Sequence, residues 1–198
     1  MLKVLAAAAI LATASSALAQ TPAPLTDNSY TEADGDRVIQ LSTVVSATPP
    51  EVWRALTSAE GWRRLGVQSA TVDFRVGGII ETNYRPGVPA GDRANIKNEI
   101  VAYVPERVLV IRNVRAPPGF AFAEEFSRTA TVIELRPEAN GTRVTLTGTG
   151  FAPGAAYDDL YGKFRGGNAY SLDLLRKSYG PLAEAAVEPS KRVTVTLK

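Results

Sequence analysis

The chain has 198 residues, of which 45% are hydrophobic, and a formal net charge of +2. It contains no cysteine and no histidine, which excludes disulfides, Ser-His-Asp and Cys-His catalysis, and the commonest transition-metal ligand. Basic residues are scattered among acidic ones, so we expect neither a nucleic-acid partner nor binding to an anionic membrane surface. No metal-ligand spacing and no phosphate-binding loop occurs, so we predict no metal and no cofactor.

Residues 1–19 have the pattern of a secretory signal peptide. A basic start at Lys3 is followed by the apolar run VLAAAAILA and by small residues that end in an A-x-A cleavage site at Ala19. The run is far shorter than the roughly 20 apolar residues of a membrane-spanning helix. We therefore expect a periplasmic or secreted protein that starts at Gln20 and has no integral membrane segment in its mature form. Residues 20–36 lack periodicity and predict a linker.

A strand and two short helices are predicted next. The segment RVIQLSTVVSA alternates between apolar and polar residues and predicts the first strand. Thr48 is a candidate N-cap, followed by two prolines that suit a first helical turn and by Glu51. Ser58 is a candidate N-cap for a second short helix. We expect Trp53 to anchor the first helix against the sheet, whereas Trp62 belongs either to this scaffold or to the end of a cavity.

Six strands are predicted in succession after the helices, the last two joined by a turn at Asn140-Gly141. From Pro153 apolar residues recur every three or four positions, which predicts a long amphipathic helix that tolerates glycine at 162, 166 and 167. This order predicts an α+β fold, in which a curved antiparallel sheet of about seven strands wraps around the long C-terminal helix. The tail, 186–198, is predicted to be either an added edge strand or a disordered end.

Several short motifs occur in the order and spacing of a known superfamily. They are Pro50-Glu51-Val52-Trp53, Arg75-Val76-Gly77-Gly78, Pro105-Glu106-Arg107 and Gly167-Asn168-Ala169. Together they resemble the START-like, Bet v 1-like superfamily of SRPBCC domains, whose fold is the helix-grip, and within it the branch of activator of Hsp-90 ATPase homologue-like proteins. The resemblance implies a domain over residues 37–185. It also implies an elongated cavity between sheet and long helix that takes apolar or polyketide-like ligands.

Strand alternation indicates which residues would face such a cavity. Where charged side chains such as Lys97 and Glu99 mark the outer face, their neighbours, including Ala102, point inward. The Pro- and Phe-rich segment APPGFAFAEEF, residues 116–126, is predicted to be a loop between two of the strands. With aromatic and polar residues of this loop and of the long helix added, the predicted ligand-binding residues are Thr82, Tyr84, Asn98, Ile100, Ile111, Asn113, Phe122, Phe126, Thr131, Tyr161, Phe164 and Asn168. No catalytic residue is assigned.

Two of these predictions have structural alternatives. Buried amides need partners, so Asn98 and Asn113 either bond to each other or to the backbone, or they meet water or a ligand. Phe120, Phe122 and Phe126 form either a mobile lid over the cavity mouth or a plug at the end of the core.

The leading functional expectation is a carrier or binding module for an apolar small molecule. The alternative is a cavity enzyme of the polyketide cyclase or hydrolase type, without metal or histidine, in which Tyr84 or Glu99 with Asn98 polarises a carbonyl. That version requires Glu99 inside the cavity. An adaptor that binds another protein is a third expectation and would need a large exposed apolar patch. Export argues against a chaperone partner, because an exported protein would not meet a cytosolic chaperone.

Overall fold

The computed structural model describes residues 25–182. The predicted signal peptide, the expected start at Gln20 and the tail 186–198 lie outside this range. The strands are β1 (Thr26–Asp27), β2 (Tyr30–Thr31), β3 (Arg37–Val45), β4 (Ser69–Val72), β5 (Ile79–Asn83), β6 (Ile96–Val104), β7 (Val108–Arg115), β8 (Ala130–Glu138) and β9 (Gly141–Phe151). The helices are α1 (Pro49–Thr57), α2 (Ala59–Arg64), α3 (Ala123–Ser127) and α4 (Ala155–Ser178).

All strands belong to one curved, open antiparallel sheet with the order β1-β3-β9-β8-β7-β6-β5-β4, and β2 also pairs with β3. Seven strands are of ordinary length and two have only two residues each. Helix α4 packs across β3 and β9, and α1 and α2 follow β3 as predicted. The predicted α+β architecture, a curved sheet on a long C-terminal helix, is confirmed.

The segment predicted as a linker contains β1 and β2. Its backbone pairs with the free edge of β3, where the amide of Asn28 donates to the carbonyl of Gln40 (2.8 Å). Asp27 also accepts a hydrogen bond from Nε of Arg165 on α4 (2.7 Å). The sequence shows no alternation here because two-residue strands are too short to carry a pattern. Edge pairing, one ion pair and the packing of Leu25 against the core hold this segment to the domain.

The predicted helix starts at Thr48 and Ser58 are confirmed. The carboxylate of Glu51 accepts the backbone N–H of Thr48 (2.7 Å), and Oγ of Ser58 accepts the N–H of Gly61 (3.1 Å). Gly61 is required by a close approach between the helices, because a Cβ atom there would lie 2.0 Å from the carbonyl oxygen of Ala55. The capping residues and this glycine fix α1 and α2 across one end of the sheet.

A register shift in β6 changes one predicted face. Pairing with β7 slips between Ile100 and Ala102, so the intervening Val101 is an extra residue and Ala102 is exposed rather than inward-facing. A β-bulge reverses the alternation beyond it. Tyr103 consequently turns inward, where its ring packs against Phe74 with a centroid distance of 4.7 Å. The prediction for Ala102 was wrong because alternation gives no sign of a bulge.

A single core joins the helices to the sheet. Leu160, Leu172 and Leu175 of α4 are buried against strand residues that include Ile39 and Leu41. The loop predicted between β7 and β8 contains the short helix α3. Among residues 25–182, no helix is long and apolar enough to cross a membrane. The core fills one part of the space under α4 and leaves the remainder open.

Candidate functional site

A cavity of about 450 Å³ lies between α4 and the strands that curve over it. Its wall is mostly apolar, with Leu56, Leu65, Val67, Ile133 and Leu146 among its members. Within the part of the chain that the structure describes, Lys163 is the only charged residue in the lining. A volume in the range of roughly 300–1,000 Å³, with few polar groups, is typical of small-molecule sites. The cavity is therefore the candidate site of this protein.

Most of the residues predicted to face a ligand line this cavity. They are Thr82, Tyr84, Asn98, Ile111, Asn113, Phe126, Thr131, Phe164 and Asn168. They come from four strands or their ends, from α3 and from α4, and the curvature of the sheet brings them together. Their location follows from alternation on β5 to β8 and from the helical period of α4.

Three predicted residues lie elsewhere. Ile100 is completely buried in the core and does not border the cavity. Tyr161 packs edge-on against Phe151, and the guanidinium of Arg37 lies 4.6 Å from its ring centroid. Phe122 packs edge-on against another ring of its loop, outside the lining. Each lies on a predicted face or segment, but neighbouring side chains separate it from the open space.

The two inward-facing asparagines form a closed relay. Nδ2 of Asn98 donates to Oδ1 of Asn113, and Nδ2 of Asn113 donates to Oγ1 of Thr129 (2.6 Å). The Thr129 hydroxyl donates in turn to the backbone carbonyl of Phe126 (2.8 Å). Of the two alternatives for Asn98 and Asn113, the structure therefore shows the one in which they bond to each other. The relay connects β6 and β7 to the end of α3 and gives each of its three members a hydrogen-bond partner.

Asn168 differs from this pair. Its side chain lies on the cavity face of α4, one turn from Phe164, and its Nδ2 atom is buried without a hydrogen-bond partner among the described residues. A buried amide without a partner costs roughly 1–3 kcal/mol. Asn168 therefore keeps an unpaired donor in a residue that lines the cavity.

The two tryptophans have different surroundings. Trp62 lines the cavity, and its Nε1 donates to the carbonyl of Leu56 (2.9 Å). Trp53 packs edge-on against Phe74, with a centroid distance of 5.7 Å, and stays outside the lining. The expectation that Trp53 is scaffold is confirmed, and Trp62 belongs to the cavity wall.

Phenylalanines cover one side of the cavity. Phe120 and Phe126, from the loop and α3, meet at a centroid distance of 5.8 Å, and Phe126 meets Phe164 of α4 at the same distance. Phe126 is buried, whereas Phe120 is only half-buried. These contacts join the loop to α4, so the aromatic cluster forms part of the cavity wall.

The cavity reaches the surface where its exposed lining residues lie. These are Tyr84, which is 61% exposed, and Lys163 and Gly167 on α4. A Cβ atom on Gly167 would meet nothing within 4 Å, so the helix leaves open space there. Tyr84 follows β5 directly and faces the loop between β7 and α3. We call this opening the mouth.

A second depression adjoins the mouth. Tyr84, Ile96 and Pro117 line both spaces, and the second one is otherwise formed by the segments 83–85 and 92–94 and by Pro118. It contains the charged residues Arg85, Arg93 and Asp92. We call it the vestibule. It differs from the cavity because three charged residues contribute to its wall, where the cavity has one.

The loop between β5 and β6, residues 84–95, contributes to the vestibule, and we call it the vestibule loop. A buried polar network on the face of β5 opposite the cavity holds this loop in place. Glu81 accepts hydrogen bonds from Nδ2 of Asn95 (2.7 Å) and from the N–H of Gly91 (2.8 Å), and Asn83 donates to Oδ1 of Asn95 (2.8 Å). Burial alone raises the pKa of the Glu81 carboxyl, but these hydrogen bonds and the charge of Lys97 outweigh burial and lower the pKa below its ordinary value. Sequence alternation placed Glu81 and Asn83 opposite the cavity, but it gave no sign that a loop buries them.

The curved sheet, the long helix it surrounds and the apolar cavity between them define a helix-grip protein of the START-like, SRPBCC class. Residues 46–179 match the family model described as activator of Hsp90 ATPase homolog 1-like protein, and the chain belongs to this family. No curated protein matches the chain significantly.

Solved structures with the same fold include the Aha1 dimer from Colwellia psychrerythraea, which is 17% identical with a TM-score of 0.57 over 72% of this chain and 95% of that one. A protein from Mesorhizobium loti is 21% identical with a TM-score of 0.57, over 71% of this chain and 95% of that one. CalU16 from Micromonospora echinospora is 19% identical with a TM-score of 0.53, over 81% of this chain and 85% of that one. Likeness at these identities concerns the fold alone.

Proposed function

We propose that this chain binds an apolar or lipid-like small molecule in the cavity between α4 and the sheet. The observation that carries the proposal is the cavity itself, with a volume of about 450 Å³ and a mostly apolar wall. Burying an apolar ligand there gains about 25 cal/mol for each Å² removed from water. Membership of a START-like family supports a ligand-binding role in general.

The interior polar groups support a ligand with at least one oxygen atom. The relay of Asn98, Asn113 and Thr129 is internally bonded, whereas Nδ2 of Asn168 has no partner among residues 25–182. A ligand carbonyl, ether or hydroxyl oxygen beside Asn168 would accept this hydrogen bond. Replacing one buried unsatisfied donor by a hydrogen-bonded one favours such a ligand over a pure hydrocarbon.

The test is to narrow the cavity without damaging the fold. Gly167→Leu places a side chain at the mouth, and Gly162→Leu places the same side chain on an exposed part of α4 outside the lining. With the neutral probe N-phenylnaphthylamine, we expect fluorescence enhancement with the unmodified protein and with Gly162→Leu. Binding to Gly167→Leu should be about tenfold weaker, equivalent to about 1.4 kcal/mol.

Both leucine variants should melt at or above the temperature of the unmodified protein, because leucine favours helix over glycine. That measurement separates loss of the cavity from loss of the fold. No enhancement with the unmodified protein, or equal binding by both variants, would contradict the proposal.

The enzymatic alternative requires a carboxylate inside the cavity, and Glu99 is not inside it. Glu99 lies on the outer face of β6 and pairs with Arg112, and among residues 25–182 no Asp or Glu lines the cavity. Tyr84 lies at the mouth, where partial desolvation raises the pKa of its phenol, so the group is a hydrogen-bond donor at neutral pH. A binding role accounts for this arrangement better than acid–base catalysis.

Export is the second part of the proposal and rests on the pattern of residues 1–19. Cell fractionation should place the chain outside the cytoplasm, and the mass of the mature protein should correspond to a start at Gln20. Under this proposal the co-chaperone activity in the family's name does not carry over, because the chain would leave the compartment of a cytosolic chaperone. An uncleaved cytoplasmic chain would contradict it.

A further inference from the structure

The charged residues around the mouth and vestibule point to one class of ligand. Four charged residues line the two adjoining spaces, namely Lys163, Arg85, Arg93 and Asp92. Three are cations and one is an anion. Because the two spaces share Tyr84, Ile96 and Pro117, one elongated molecule would contact both.

The three cations are available for a ligand. None of them has a carboxylate partner among residues 25–182, although many other arginines of this chain do, as in the pairs of Arg37 with Asp158 and Arg112 with Glu99. Lys163 makes only a cation–π contact, with its Nζ 5.9 Å from the ring centroid of Phe122. Such contacts at exposed sites are worth about 0.5–1 kcal/mol and leave the charge free to bind an anion.

Asp92, the single anion, already makes hydrogen bonds within its own loop. The Oδ1 atom of Asp92 accepts the backbone N–H of Ala94 (2.7 Å), and the backbone carbonyl of Asp92 accepts a hydrogen bond from Arg115 (2.8 Å). These bonds hold Asp92 in the turn that carries Arg93. Asp92 therefore stabilises the loop. The net charge of the residues around the mouth and vestibule is positive.

The cavity interior would not accept an acid. Its deeper wall is apolar apart from neutral amide and hydroxyl groups, and an anion buried there would lack a compensating charge. An acidic group would therefore lie at the mouth, with its apolar body inside. A cationic head group would be repelled at the same place.

We propose that the ligand is an anionic amphiphile, with its apolar chain in the cavity and its acid group at the mouth beside Lys163 and the vestibule arginines Arg85 and Arg93. This inference rests on the proposed function and adds the ligand's charge and direction of entry. The chemistry is that of a carboxylate, sulfate or phosphate on an apolar chain. Arginine and lysine are the side chains that bind such groups with charge-assisted hydrogen bonds.

The experiment compares three probes of one chain length: dodecanoate, dodecanol and dodecyltrimethylammonium. Each displaces N-phenylnaphthylamine from the protein at about pH 8, where a carboxyl group is ionised. We expect dodecanoate to bind about tenfold more tightly than dodecanol, which corresponds to about 1.4 kcal/mol, and the cationic probe to bind most weakly. Added salt should reduce the preference for the acid.

Charge-removing variants locate the head group. Lys163→Met should lower the ratio of dodecanoate to dodecanol affinity about fivefold, the upper range for an exposed charge pair. Adding Arg85→Gln and Arg93→Gln should abolish the preference for the acid. The matched control is Arg136→Gln, because Arg136 is exposed on the outer face of β8 and lines neither space.

The outcomes separate the two proposals. Equal binding of dodecanoate and dodecanol, or a preference for the acid that survives the triple variant, overturns the head-group assignment and leaves the proposed function intact. Failure of all three probes to displace the reporter overturns the proposed function together with the assignment. A preference that disappears in the triple variant and persists in Arg136→Gln supports both.

Discussion

Buried polar groups on the two sides of β5 differ in whether they have hydrogen-bond partners. On the outer face, Glu81, Asn83 and Asn95 satisfy one another beneath the vestibule loop. On the cavity side, Asn168 of α4 lines the same space as Thr82 of β5, and its Nδ2 atom has no partner among the described residues. A closed network stabilises the loop that it holds, whereas an unpaired donor beside a cavity is available to a ligand. Pairing, rather than polarity or burial, distinguishes the structural residues from the candidate binding residues.

The largest effect should follow from breaking the outer network. Glu81→Leu would remove the carboxylate that accepts from the buried Nδ2 of Asn95 and from the N–H of Gly91, and Nδ2 of Asn95 would keep only the carbonyl of Pro89, so we expect a loss of about 2–4 kcal/mol in the free energy of unfolding. Denaturant unfolding measures this loss. Glu99→Gln, on the neighbouring strand, removes a more exposed pair and should cost at most about 1 kcal/mol. Similar losses in both variants would contradict the role assigned to the network.

The same change made at two cavity asparagines sharpens the comparison. Asn113→Leu removes the acceptor of Asn98 and the donor to Thr129, which should cost about 1–3 kcal/mol of unfolding free energy. Asn168→Leu removes an amide that has no partner, so its unfolding free energy should stay within about 0.5 kcal/mol of the unmodified protein or rise. Equal destabilisation by the two variants would show that Asn168 is bonded in solution.

A smaller effect is expected on α4. Gly167→Ala should raise the unfolding free energy by about 1 kcal/mol, because alanine favours helix and its Cβ meets nothing within 4 Å. Gly61→Ala is the contrasting variant, since its Cβ would overlap the carbonyl oxygen of Ala55. Thermal unfolding should therefore shift upward for the first and downward for the second. A downward shift for Gly167→Ala would mean that α4 packs more tightly there than described.

The smallest effect should appear in the pH dependence of Glu81. Its pKa is lower in the folded chain than the ordinary 4.5, so its ionised form contributes stability above that value. The contribution is lost as the pH falls through the folded pKa. The difference in unfolding free energy between the unmodified protein and Glu81→Gln should therefore shrink below about pH 4.5. A difference that stays constant down to strongly acidic pH would show that Glu81 titrates normally.

Much of the fold could be predicted because local patterns act directly on the chain. Thr48 and Ser58 cap helices through hydrogen bonds to residues three positions away, and the turn at Gly141 uses that residue's own positive φ of 145°. The bulge beside Ile100 and the edge pairing of β1 and β2 depend on distant backbone, so no local pattern indicated them. The predicted strand count of about seven was correct for the long strands.

The residues of the candidate site could be predicted where strand alternation alone decides which way a side chain points. Thr82, Asn98 and Thr131 line the cavity because strand period alone decides their side. Tyr161 and Phe122 lie on suitable segments but have other partners, and only packing reveals such partners. The vestibule was missed because it forms between loops, which carry no periodic signal. Its clearest sequence sign, an arginine on either side of a Pro- and Gly-rich loop, is too common to indicate a site.

The separation of the two tryptophans gives the protein an internal optical reporter. Trp62 forms part of the cavity wall, whereas the indole of Trp53 lies among Phe74 and Tyr103, away from the open space. In a Trp53→Phe variant all tryptophan emission would come from the wall of the cavity. A ligand that fills the cavity would displace water from around Trp62 and move its fluorescence emission toward shorter wavelengths. Occupancy of the cavity could therefore be measured by intrinsic tryptophan fluorescence without an added dye.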